Sequence, residues 1–185
     1  MKTPSMVENE TEHSDADLVA RAASGMDAAF TTLFHRYYER VRCFAFRIVL
    51  EAQAADDVAQ ETFIRAARHL SSIREGQAFL AWLFRIAANV ARDHLRSQRA
   101  HDRKLESAAA TAAVNQPDSG ASADQAQRAF AAMQALPPKQ RAAVALVFIE
   151  NCSHSEAAQR LGCAESTVSW RIFLAKRTLR KWLTQ

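Results

Sequence analysis

Trp82, Arg85, Asn89, Arg92 and Arg96 recur at alternating intervals of three and four, so a helix turning by about 100° per residue carries them on one face. An indole can stack on an unpaired base, a carboxamide can read a base edge, and guanidiniums can neutralise phosphates. An ordinary solvated face with Trp82 at the rim of a core has the same spacing. The sequence near the C-terminus offers a second such face. There Val168, Ile172, Ala175, Leu179 and Trp182 form an apolar stripe, and Ser169, Trp170, Phe173, Arg177, Arg180 and Lys181 lie opposite it. Early residues of such a helix suit base edges in a major groove, and later basic ones suit phosphates. Arg171 falls near the buried edge. Trp170, Phe173 and Leu174 are large apolar residues in an exposed position, suited either to thymine methyl groups or to another protein.

A third constellation has the opposite sign. Asp57, Glu61 and Arg65 recur every four residues with Asp56 beside them. Acid placed before base at this spacing stabilises a helix by a few tenths of a kcal/mol, which explains the pattern locally. An acidic surface for a basic partner protein explains it equally.

Chemistry of other kinds finds little support. No nucleophile stands beside a base, no glycine-rich phosphate loop occurs, and no metal set is evident, so an enzyme, a cofactor and a metal are not expected. Cys43, Cys152 and Cys163 form neither an even set nor a close pair, which argues against a disulfide framework or a zinc site and for a reduced, cytoplasmic protein. Cys152, His154 and Cys163 are near enough in sequence to raise metal sensing, but two of them fall where a helix pair needs a buried apolar side chain. No basic segment followed by an apolar core lies near the start and no run of about eighteen apolar residues occurs, so neither export nor direct membrane insertion is expected.

The elements that must position these faces are helical. Four Gly and four Pro in 185 residues, with 49% hydrophobic residues, favour an all-α chain. Ser14 with Asp17 caps a first helix that Gly25 ends. Phe30, Phe34, Tyr37, Val41, Phe44 and Ile48 then mark one apolar stripe along a long second helix, with partners expected over 54–70 and 77–99. Residues 14–100 thus make a first domain, preceded by an acidic, disordered tail over 1–13. Residues 101–124 turn to Ala, Ser, Asn, Gln, Pro117 and Gly120 and read as a flexible linker. A second domain covers 125–185. Pro137 and Pro138 open one of its helices, Ser153 and Glu156 form a capping box for a short helix, and Gly162 turns the chain into the last helix: a helix-turn-helix pattern. The net charge is only +4, but acids gather in the first seventeen residues and bases in the last fifteen, an arrangement that suits a polyanion at the C-terminus.

Three stretches together resemble the extracytoplasmic-function branch of the sigma-70 family: DDVAQETFIRAAR (Asp56 to Arg68), AFLAWLFRIAANVARDHLR (Ala78 to Arg96), and Ala135 to Leu183, which contains the helix-turn-helix. The resemblance spans nearly everything except the acidic N-terminus and the linker, and the order and spacing of the stretches are more specific than any one of them. It implies a sigma factor that binds RNA polymerase core and promoter DNA, and that an anti-sigma protein holds inactive. By resemblance, Asp56, Asp57, Gln60, Glu61 and Arg65 face core polymerase. Trp82, Arg85, Asn89, Arg92 and Arg96 face the melted downstream element, with Ser72 and Arg74 in a connector that pockets a flipped base. Thr167, Ser169, Trp170, Arg171, Phe173, Arg177, Arg180 and Lys181 face the upstream element. The recognition helix departs from the family at Ala164, Ser166, Ser169 and Trp170, so a promoter sequence does not carry over. Ala164 has no capping oxygen, which leaves Ser166 and Thr167 as alternative caps. A stand-alone helix-turn-helix regulator that never joins polymerase is the main rival, and a helical adaptor that binds only protein would leave both basic faces unused.

Overall fold

The structure, a computed structural model, describes residues 13–73, 78–106 and 121–183. Among them there are helices and turns and no strand. Helix α1 (Asp15–Ala23) starts at Ser14, whose hydroxyl accepts from the Asp17 amide, and ends before Gly25 at φ +96°. Helix α2 (Asp27–Val49) buries Val41, Phe44 and Ile48 of the expected stripe, with Phe30, Phe34 and Tyr37 half-buried at its start. Helix α3 (Ala52–His69) is capped by the Glu51 carboxylate and closes through a 3₁₀ turn, Leu70–Ser72. Helix α4 (Phe79–Glu106) runs on beyond Arg99, where the sequence pattern places its end. Apolar faces of α2, α3 and α4 close the first bundle, with Phe44 and Phe84, both fully buried, meeting at 4.6 Å between ring centres. The tail before His13, the connector residue Arg74 and the middle of the expected linker lie outside the described residues.

The second bundle comprises α5 (Ala121–Gln134), α6 (Pro138–Val144), α7 (His154–Leu161) and α8 (Glu165–Leu183). Helix α6 does not simply end. It passes into a π-helical turn, Ala145–Ile149, in which the Glu150 amide donates to the Ala145 carbonyl at 3.0 Å. One surplus residue per turn is the hallmark of such a bulge. The capping box forms as expected: Ser153 Oγ accepts from the Glu156 amide, and the Glu156 carboxylate accepts from the Ser153 amide at 2.8 Å, which holds that carboxyl below its ordinary range. Gly162, at φ +62°, turns the chain into α8. Because the Val168 amide donates to the Ala164 carbonyl, α8 begins directly after Ala164, and neither Ser166 nor Thr167 is its cap.

The two bundles are not separate in space. Their buried side chains form one contiguous apolar cluster from Leu18 to Ala175. Glu150, its side chain 9% exposed, receives two hydrogen bonds from Arg40 at 2.9 and 3.0 Å, with Arg47 3.7 Å away. The π turn delivers Glu150 to this pair of guanidiniums. Elsewhere in the seam Arg160 lies over the Phe84 ring at 5.6 Å, and Phe46 stacks on Phe130 at 6.4 Å.

Candidate polymerase and nucleic-acid interfaces

On α3 the acidic residues lie on the solvent side. Asp57 and Gln60 are exposed, and Asp56, Glu61 and Arg65 are half-buried. Arg65 pairs with Glu61 at 2.7 Å and reaches Asp93 of α4 at 3.8 Å, while Arg42 of α2 approaches Asp56 at 3.8 Å. The opposite face of α3, with Ala55, Val58, Ala59 and Phe63, is buried. Core packing therefore fixes the orientation of the acids without using them.

Helix α4 departs from the sequence expectation at one position. Phe79, Leu83, Phe84, Ala87, Val90 and Ala91 are buried, but Trp82 is not on the open face: it is 8% exposed and tilts against Phe79, with ring centres 6.0 Å apart. The indole sits at the edge of the apolar arc, and its hydrophobic area draws it into the core. Arg85, Asn89, Arg92 and Arg96 are exposed, and Arg92 donates to the Asn89 side chain. Arg85 is engaged across the seam. Its Nη2 donates to the Gln159 carbonyl of α7 at 2.8 Å, and its stem lies against Gly162, where a Cβ would meet the Arg85 Nε at 3.4 Å. Arg92 and Arg96 line a cleft shared with Lys139. The face expected to take melted DNA thus borders the second bundle along much of its length. Ser72 caps its own turn by donating to the His69 carbonyl at 2.6 Å.

Helix α8 presents the expected division. Val168, Ile172 and Ala175 are buried, and Ser169, Trp170, Phe173, Arg177, Arg180 and Lys181 are exposed; the side chain of Trp182 lies outside the described residues. Trp170 and Phe173 stand out at 58% and 54% exposure and stack on each other at 5.4 Å. Thr167 is half-buried, and Arg171 is half-buried with Nη1 3.7 Å from Cys163 Sγ. Ser169 shares a 2.8 Å hydrogen bond with Nδ1 of His154, fixing the angle between α7 and α8. His154 serves the α8 face and Gln159 the α4 face from a distance in sequence at which no local pattern marks them. Cys152 is buried, which pushes its thiol pKa up, and Cys163 faces Arg171. Among the described residues no group of three His, Cys, Asp or Glu is placed to hold a metal ion, and no helix is long and apolar enough to cross a membrane.

Two helical bundles, one ending in a helix-turn-helix with an exposed basic and aromatic helix, define a DNA-reading protein of two parts. Residues 33–101 match the family model for Sigma-70 region 2, and residues 126–179 match that for Sigma-70 region 4. The chain is 34% identical to the RNA polymerase sigma-H factor of Pseudomonas aeruginosa, covering 94% of this chain and 95% of that one. It is 32% identical to the ECF RNA polymerase sigma-E factor of Escherichia coli K12, covering 90% and 92%. Among solved structures it is similar to CnrH in complex with the cytosolic domain of CnrY, with a TM-score of 0.68, 30% identity and coverage of 92% of this chain and 97% of that one. It is also similar to sigma factor RpoE in complex with the anti-sigma factor NepR from Bartonella quintana, with a TM-score of 0.67, 25% identity and coverage of 84% and 96%. The chain belongs to the extracytoplasmic-function branch of the sigma-70 family. It binds RNA polymerase core and directs transcription initiation at promoters, which sets aside the reading as a stand-alone regulator. Sigma factors are initiation factors and not enzymes of the transcription reaction.

Proposed function

We propose that three exposed faces divide the work of initiation. Asp56, Asp57, Gln60, Glu61 and Arg65 of α3 dock on core polymerase. Arg85, Asn89, Arg92 and Arg96 of α4, with Ser72 and Arg74, take unpaired downstream promoter DNA, while the buried Trp82 packs beneath that face. Thr167, Ser169, Trp170, Arg171, Phe173, Arg177, Arg180 and Lys181 of α8 read the upstream duplex. The observation that carries this reading is α8 itself: a helix buried along Val168, Ile172 and Ala175 that offers solvent a basic and aromatic face directly after a glycine turn. The protein works by binding alone, with no covalent step, and acts in the cytoplasm. An anti-sigma protein holds it inactive, in keeping with the NepR complex of the Bartonella relative.

Run-off transcription with purified core polymerase on a genomic promoter library tests the whole assignment. Wild-type protein should select an asymmetric promoter only with core bound. The Asp57→Lys, Glu61→Lys double variant should lose association with core while keeping its helical circular dichroism, because both changes lie on a partly or fully solvent-facing stripe. Unchanged core binding by the folded variant would return those acids to a purely local role in α3.

A further inference from the structure

A cleft of about 730 Å³ opens between the C-terminal half of α4 and the turn that starts α6. One wall carries Arg92, Arg96, Arg99 and Arg103, spaced four, three and four apart along a single face of α4, with Leu95 among them. Pro137, Pro138 and Lys139 form the other wall. Among the described lining residues Asp102 is the one acid, against five cations. Behind the second wall Arg141 is 6% exposed, and its Nε has no hydrogen-bond partner. Burial chiefly, and then Arg99 across the cleft, lowers its pKa. Among the described residues the two bundles therefore meet around an excess of positive charge.

We propose that this cleft binds an oligophosphate, the chain of linked phosphates that inorganic polyphosphate and nucleoside polyphosphates share. Guanidiniums present forked donors that match phosphate oxygens in pairs, and a row of them on successive turns matches a linear chain of such groups. The volume is that of a small-molecule site, far too small for a duplex. Leu95 with the two prolines supplies an apolar floor on which a nucleoside could rest. Since Lys139 and the arginines belong to different bundles, the ligand would bridge them and hold the seam shut, and it would occupy Arg92 and Arg96. Binding does not depend on the assignment of α4 to unpaired DNA; only its inhibitory consequence rests on that reading.

Calorimetric titration of the full chain with sodium tripolyphosphate at about 0.15 M salt, without polymerase or promoter, keeps this test apart from that of the proposed function. Saturable binding of one tripolyphosphate per chain is expected. Lys139→Ala and Arg99→Ala, both at exposed positions, should each weaken it about tenfold or more, with helical circular dichroism as the control on folding. Arg177→Ala, on the far basic face of α8, should bind as the wild type does. A parallel titration with guanosine triphosphate identifies the source: equal affinity means that the phosphate chain alone is read, and tighter binding means that the nucleoside is seated too. Absence of saturable binding, or equal weakening by Arg177→Ala and Lys139→Ala, would overturn the proposal and leave only diffuse attraction of anions.

Discussion

At the scale of single residues, Trp82 is buried where its spacing offers an open face, and Trp170 is exposed as its spacing suggests. Trp82 is packed against Phe79, so Trp82→Ala should destabilise the fold by about 3 kcal/mol in a melting experiment, as truncation of a large buried aromatic does. A defect in promoter opening by that variant would mix stability with DNA contact. Asn89→Ala with Arg96→Ala avoids this, because both side chains are exposed. Permanganate footprinting should show a smaller melted bubble with nearly unchanged duplex binding, and equal loss in both would make α4 a general phosphate surface. Trp170 is the converse case, an exposed aromatic stacked on Phe173. Titrated against preferred and scrambled duplexes at several salt concentrations, Trp170→Ala should lose roughly 1 to 3 kcal/mol on the preferred site only. Arg177→Ala should weaken binding to every sequence and reduce the salt slope by about one unit. Discrimination that survives Trp170→Ala would mean that the stacked pair meets protein and not the groove.

At the scale of elements, most of the molecule was legible because its signals are local. The stripe from Phe30 to Ile48, the Ser14 cap, the Ser153 and Glu156 box and the Gly162 turn each depend on residues within a turn or two of one another, and each forms. The π turn at Ala145–Ile149 gave no warning, since its apolar residues suit an ordinary helix equally well and only the tertiary setting selects the surplus residue. Helix α4 outruns its expected end because the residues after Arg99, from Ala100 to Glu106, include neither Gly nor Pro and tolerate helix. The start of α8 was open between Ala164, Ser166 and Thr167, and the hydrogen bond from Val168 to the Ala164 carbonyl decides it for Ala164. Ala164→Ser should therefore supply the missing oxygen and raise stability by roughly 0.5 to 2 kcal/mol in thermal or denaturant melting. No gain would mean that the serine hydroxyl finds no free amide in the first turn.

At the scale of the whole molecule, the seam between the bundles was not legible at all. Arg85 and Gln159 are 74 residues apart and Arg40 and Glu150 are 110 apart, and no periodicity links such pairs. Glu150 is the hinge of this arrangement in energetic terms, a carboxylate held by two guanidiniums that are themselves partly solvated. Glu150→Ala should weaken the docking of the bundles by about 1 kcal/mol, the solvated arginines recovering much of what they lose. Small-angle scattering should then report a larger radius with helicity intact, and an unchanged radius would assign the seam to apolar packing alone. The contact between Arg85 and the Gln159 carbonyl has a further consequence, for a guanidinium engaged there is not available to a base. DNA then captures only those molecules that have let go, and affinity is divided by that fraction. If about nine molecules in ten are docked, the apparent dissociation constant rises about tenfold although no DNA contact has changed. On the proposed assignment of Arg85 to promoter DNA, promoter strength for this chain is set partly by a bond in which DNA takes no part.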